Sequence, residues 1–228
     1  MSSNFAHRYS ISIWTYDEFA KEYYKKSITD NDVYVIVKEV IKVVNPKPGE
    51  IILEVGCGTG TIVYLLRQMG INAWGCDVSS LAISIAKKLY GNYYFQCDFV
   101  NAQSFTDRTY DKIYTLNSFL YVHPKDYEKV LRNLRRLLFR GGKLFLLWEP
   151  DYQKRCRYPR LLRRKRIYAL CRLFTGIFSI HSTKDGSFYV KLSRLKKAAV
   201  RAGFTHVVRL DPVFLKKHVR SHYVLYTA

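Results

Sequence analysis

The segment Ile52-Leu-Glu-Val-Gly-Cys-Gly-Thr-Gly60 constrains this chain more than any other. A short run rich in branched apolar residues, Ile51–Val55, leads directly into three alternating glycines. Such a run suits a strand buried on both faces. Helical spacing then runs from Thr61 to Met69, and Gly70 ends it. Glycine is needed where the backbone turns sharply and a ligand must come close. The helix N-terminus behind such a loop offers unpaired N–H groups to an anionic group. Taken alone, the loop also fits a plain strand-to-helix turn.

Two acidic residues extend the pattern. Asp77 closes a second predicted strand, Ile71–Cys76, and Asp98 closes a third, Tyr93–Cys97. A carboxylate at the first position can accept from a ribose diol, and the carboxyl edge of an open α/β sheet is where ligands bind. Each aspartate alone fits an N-cap or a solvated loop. Their register on consecutive strands favours a site.

Strand and helix patterns alternate along the chain. A helix is expected over residues 17–44, stopped by Asn45-Pro46-Lys47-Pro48-Gly49. After the first two strands come a helix Ser79–Tyr90, a strand Lys112–Leu116, a helix Lys125–Leu138 and a strand Lys143–Trp148. Gly141-Gly142 is expected to terminate the second of these helices. A helix Leu192–Ala202 and strands Thr205–Leu210 and Ser221–Thr227 complete the chain. The short link Asp211–Lys217 between the last two suits an antiparallel pair. This order predicts an α/β sheet with helices on both faces.

Apolar residues make up 48% and charged residues 25% of the 228, enough for a real core and too apolar for a disordered chain. Five cysteines without a CxxC pair argue against a disulfide framework or a thiolate zinc site, and fit a reducing cytoplasm. No metal is expected. The N-terminus lacks the apolar stretch of a signal peptide, and the longest apolar run, Ile167–Ile180, is too short to span a bilayer. The net charge of +20 is uneven: residues 1–150 carry +4 and residues 151–228 carry +16. A polyanionic partner would meet the last third.

These motifs resemble those of the class I S-adenosylmethionine (SAM)-dependent methyltransferases. Glu54-Val-Gly-Cys-Gly-Thr-Gly60 is similar to the family's first motif, Gly75-Cys-Asp-Val-Ser79 to its second and Cys97-Asp98-Phe99 to its third. Tyr110–Pro124 resembles the fourth, Leu134–Leu146 the following helix, glycine turn and strand, and Tyr16–Tyr23 the entry helix. The resemblance covers residues 14–149 and returns at Leu192–Val208. It implies a three-layer Rossmann-like sandwich with a seven-stranded mixed sheet, order 3-2-1-4-5-7-6, strand seven antiparallel. It also implies one domain over 1–228 with a basic helical insertion or lid at about 150–190.

The resemblance further implies a SAM site. Gly56, Cys57, Gly58 and Gly60 would pass under the methionine part, and Glu54 would anchor the amino group. Asp77 would hold the ribose hydroxyls, Val78 would pack on adenine, and Asp98 would accept from the adenine amino group beside Phe99. Asn117 would sit near the transferable methyl and Tyr23 would close over the methionyl end. Thr61 stands where a nicotinamide fingerprint has its last glycine, which favours SAM over NAD. Tyr16, Tyr121 and His123 are the candidate catalytic groups, with His181 and Glu149 less well anchored.

The acceptor is expected to be a small or lipid-like molecule methylated on oxygen or nitrogen, with RNA as the alternative. A non-enzymatic nucleic-acid-binding module is the remaining reading. Lys154–Arg172 bears nine basic residues in 19, interleaved with apolar ones. That composition suits an anionic membrane surface or RNA phosphate as partner, or a solvated lid. A cytoplasmic protein, at the membrane periphery if that segment meets lipid, is the expectation.

Overall fold

The computed structural model describes residues 31–101, 108–152, 188–214 and 220–227. Elements run α1 (Asn31–Val44), β1 (Ile51–Val55), α2 (Thr61–Gln68), β2 (Asn72–Asp77), α3 (Ser80–Tyr90) and β3 (Tyr94–Gln96). Then follow β4 (Tyr110–Leu116), two short 3-10 turns (Phe119–Tyr121 and Pro124–Asp126), α4 (Tyr127–Arg136) and β5 (Leu138–Pro150). The chain closes with α5 (Leu192–Arg201), β6 (His206–Leu210) and β7 (Arg220–Tyr226).

The seven strands form one sheet in the order β3-β2-β1-β4-β5-β7-β6, as expected. Neighbours pair in parallel except at β7, which is antiparallel to both β5 and β6. Strand residues alternate between two cores. Leu53, Ile113, Leu144 and Leu146 face α4 and α5, whereas Ile52, Tyr114, Phe145 and Leu147 face α1, α2 and α3. Burying each leucine, isoleucine or phenylalanine among them contributes about 1.5–3 kcal/mol, so the central strands hold the sheet from both sides. Their carboxyl ends, with the loops after β1, β2, β3 and β4, share one edge.

Several expected boundaries shift. The helix expected over 17–44 is described from Asn31 onward, and its first part lies outside the described residues. Asp98 sits two residues beyond the end of β3, not at it. The helix expected over Lys125–Leu138 is shorter: Pro124 opens a 3-10 turn and α4 ends at Arg136. Gly141-Gly142 does not cap that helix. It lies inside β5, where the register against β4 jumps between Tyr110–Leu138 and Lys112–Lys143. Gly141 takes the positive φ of +82° that such a bulge demands. A left-handed glycine fits a helix end or a bulge equally well; the pairing of Leu138 with Tyr110 decides for the bulge.

Candidate functional site: the carboxyl edge of the sheet

The three loop glycines have three different neighbourhoods. A Cβ on Gly56 would lie 2.6 Å from Cβ of Ser118, and one on Gly60 would collide with the Tyr94 ring. Those two glycines let the loop close against β4 and β3. A Cβ on Gly58 would meet no protein atom within 4 Å. Of the three loop glycines, Gly58 alone faces open space, where a ligand could approach the backbone. All three have positive φ, which L side chains rarely adopt.

The loop is fastened to β2. Gly56 and Cys57 both donate backbone N–H to the Cys76 carbonyl, at 2.8 and 3.0 Å. The Cys57 sulfur packs against Gly75, and burial pushes its thiol well above the usual range. Cys57 therefore contributes backbone, not a reactive side chain. Asp77 Oδ2 accepts from Gly58 N at 2.8 Å and Oδ1 from Ser79 N at 2.9 Å. These bonds fix the orientation of the carboxylate at the end of β2.

Glu54, almost fully buried, accepts from the Tyr114 hydroxyl at 3.1 Å. Burial pushes its carboxyl up to about 8, helped by the nearby Asp77 charge and opposed by the Tyr114 bond. A cation bound beside this carboxyl would draw it back to the ionised form. The acceptor set fits SAM: an acid for its ammonium, an oriented acid for its ribose, and open space at Gly58.

The third-motif residues are engaged locally. Asp98 Oδ1 accepts from Val100 N and Asn101 N, and Oδ2 from Asn101 Nδ2 at 2.7 Å. It stabilises its own turn at the edge where adenine is expected. Val78 and Phe99 are half-buried. Their carbonyls accept from Gln96 Nε2 and Asn133 Nδ2. Tyr23, Tyr16 and His181 lie outside the described residues.

After β4, Asn117 takes a left-handed backbone at φ +53° and donates its N–H to Leu147 O. Ser118 Oγ donates to Val55 O at 3.0 Å, so the β4 loop is locked onto the glycine loop. His123 Nδ1 accepts from Lys125 N and its ring meets Phe188 edge-on, so it caps the Pro124 turn. Burial, with help from Lys125, lowers its pKa. Tyr121, half-buried, belongs to the preceding turn.

Glu149 is fully buried under this loop and accepts from Phe119 N at 3.2 Å. Burial raises its carboxyl to about 8, against the pull of Arg220. One residue at this edge, Arg220, escaped the sequence. Its Nη1 donates to Asn117 Oδ1 at 2.6 Å and to Trp148 O at 2.9 Å. No strand pattern marks it, since its partners lie far away in the chain. A cavity of about 530 Å³, lined by Asn45, Lys112, Gly141 and Lys143, opens at the opposite edge and is no part of this site.

Residues 52–142 match the family described as "Methyltransferase domain". The chain is 33% identical over 116 residues to the O-methyltransferase resE of Aspergillus sclerotiorum, covering 48% of this chain and 43% of that protein. It is 30% identical over 128 residues to phosphoethanolamine N-methyltransferase 3 of Arabidopsis thaliana, 54% and 24% of the two chains. It is 29% identical over 111 residues to probable tRNA methyltransferase 9B of Bos taurus, 48% and 24%. The chain thus spans less than half the length of each of these relatives. A TehB-like SAM-dependent methyltransferase from Corynebacterium glutamicum superposes with TM-score 0.64 at 16% identity, over 93% of this chain and 98% of that one. Residues 52–142 thus carry a methyltransferase domain, and the seven-strand order gives the chain the fold of the class I SAM-dependent methyltransferases.

Proposed function

We propose that this chain transfers the methyl group of SAM to an oxygen or nitrogen atom of a small-molecule or lipid-like acceptor. The observation that carries this reading is the pairing of buried Glu54 with Asp77 around the open face of Gly58. When bound, SAM supplies a sulfonium methyl that is already an activated electrophile. The chain's own work is then alignment and exclusion of water. Glu54 holds the ammonium, Asp77 the ribose hydroxyls, and Asp98 with Phe99 the adenine end. Asn117, locked beside the glycine loop through Ser118, borders the acceptor. Tyr121 and His123, in the turns after β4, flank that side. His123 keeps only Nε2 for proton transfer, because Nδ1 is spent on the Pro124 turn.

Isothermal titration with SAM and with its demethylated product tests cofactor binding. Labelled SAM incubated with lipid, RNA, protein and small-molecule fractions then identifies the acceptor class. Absence of binding by either ligand would sink the enzyme reading. RNA is the second reading, favoured by the +16 charge of residues 151–228 and by the similarity to a probable tRNA methyltransferase. In both readings the basic run Lys154–Arg172 meets the anionic partner, a membrane surface or RNA, from the cytoplasmic compartment.

A further inference from the structure

We propose that Arg220 locks the Asn117 carboxamide so that it offers only N–H to the acceptor, which makes the acceptor atom an oxyanion oxygen. This rests on the methyltransferase reading above.

A guanidinium donates and never accepts. The Asn117 atom lying 2.6 Å from Arg220 Nη1 is therefore the amide oxygen, whichever way the amide is drawn. Arg220 is itself held in place. The same Nη1 donates to Trp148 O, and the guanidinium lies 5.0 Å from the centre of the Trp148 ring. The Asn117 backbone cannot swivel to compensate, because its N–H is bonded to Leu147 O and the next residue is bonded to Val55 O. With its oxygen turned to Arg220, the planar amide directs Nδ2 away from the guanidinium.

The two acceptor classes respond differently. A neutral amine has one lone pair, and that pair is consumed along the axis to the methyl carbon. It can take nothing from Asn117, and its own N–H groups would face another donor. An oxyanion attacks with one lone pair and keeps others to accept from Nδ2. The new C–O bond forms as the C–S bond breaks, and the electron pair of the latter stays on sulfur, leaving the neutral thioether. No proton is left over when the acceptor arrives as a phenolate, enolate or carboxylate. The positive charge of Arg220 beside the site favours that ionised form. Asn117 contacts the acceptor; Arg220 is a positioning residue.

The test uses the full chain, methyl-labelled SAM and the small-molecule and lipid fractions of a cell extract. Products are hydrolysed and sorted into O-methyl and N-methyl compounds. The parent should give O-methyl products. Arg220→Met should lower kcat about tenfold or more with SAM affinity unchanged, and should raise the N-methyl share because the amide can now turn. Arg220→Lys should restore part of the O-selectivity. Asn117→Asp keeps a partner for Arg220 but removes the donor, and should abolish O-methyl transfer. N-methyl products from the parent, or an unchanged product ratio in folded Arg220→Met, would overturn the inference and leave the methyltransferase reading standing. No transfer by SAM-binding parent protein would overturn that reading, and this inference with it.

Discussion

Glu39 of α1 and His222 of β7, 183 residues apart, share a 2.7 Å hydrogen bond with neither side chain exposed. His222 Nδ1 accepts from Trp148 N at 2.8 Å, so the proton sits on Nε2 and is donated to Glu39. Glu39 also accepts from Val213 N and Phe214 N. One carboxylate therefore ties α1, the residues after β6, and the site ends of β5 and β7. Glu39→Ala should destabilise the protein by about 2–4 kcal/mol, because it strands buried donors. Urea denaturation monitored by circular dichroism reads this; a parent-like midpoint would contradict it.

The glycine loop separates folding from binding. Gly58→Ala faces open space and should cost about 1–2 kcal/mol for its left-handed backbone alone, while obstructing SAM. Gly60→Ala should lose more stability, because Tyr94 stands in the way and its hydroxyl donates to Gly60 O. Thermal melts and SAM titrations of both variants compare the two effects.

Asp77→Ala should weaken SAM by about 1–3 kcal/mol if the ribose diol is left without its acceptors. Asp77→Asn keeps the outline and distinguishes lost charge from lost shape. Equal SAM affinity in parent and Asp77→Ala, by calorimetry, would refute the placement of the ribose.

Protonation should govern both binding and stability. Holding an ammonium requires ionised Glu54, whose carboxyl is pushed up to about 8, so SAM affinity should climb as pH rises from 6 towards 8. Glu54→Gln should bind weakly and lose that climb. Glu54 and Glu149 both prefer to be protonated in the fold. Apo-protein stability should therefore fall as pH rises from the unfolded carboxylate value towards about 8, at up to about 1.4 kcal/mol per unit per group. Glu39 has the opposite sign. Burial would raise its carboxyl, but the His222, Phe214 and Val213 bonds together hold it below the usual value. Its contribution is present above the unfolded value and lost as pH falls through the folded one.

Replacing Arg163, Arg164, Lys165 and Arg166 by Gln should weaken binding to anionic vesicles or RNA, with the effect shrinking at high salt. SAM affinity should stay as in the parent. Leu173→Asp with Phe174→Asp should abolish vesicle binding and spare RNA binding, which separates the two partners by co-sedimentation.

The parallel strands were legible because Ile51–Val55 and its followers carry their burial in local composition, and the glycines mark where the chain turns. Glu54, Asp77 and the loop could be placed for the same reason. The start of β5 was not, since Leu138–Gly142 has the local chemistry of a helix end and only its pairing with Tyr110 makes it strand. Arg220 and His222 were illegible for a deeper cause. Their partners Asn117 and Glu39 lie 103 and 183 residues away, so no window of sequence contains both halves of either bond.

Near the site end of β5 the register against β7 passes from Leu146–Tyr223 to Glu149–Ser221, three steps on one strand against two on the other. Leu147 still pairs with Leu116 of β4, and Trp148, at φ +58°, is the residue left over. Because the extra residue is absorbed there, Glu149 keeps the face it would have in a flush ladder. In genetic terms this is a place where one codon can be gained or lost without inverting the sheet. What such a change would remove is Trp148 alone, and with it the carbonyl that steadies Arg220 and the N–H that sets the His222 tautomer. The fold would persist while the chemistry at its edge was rewritten.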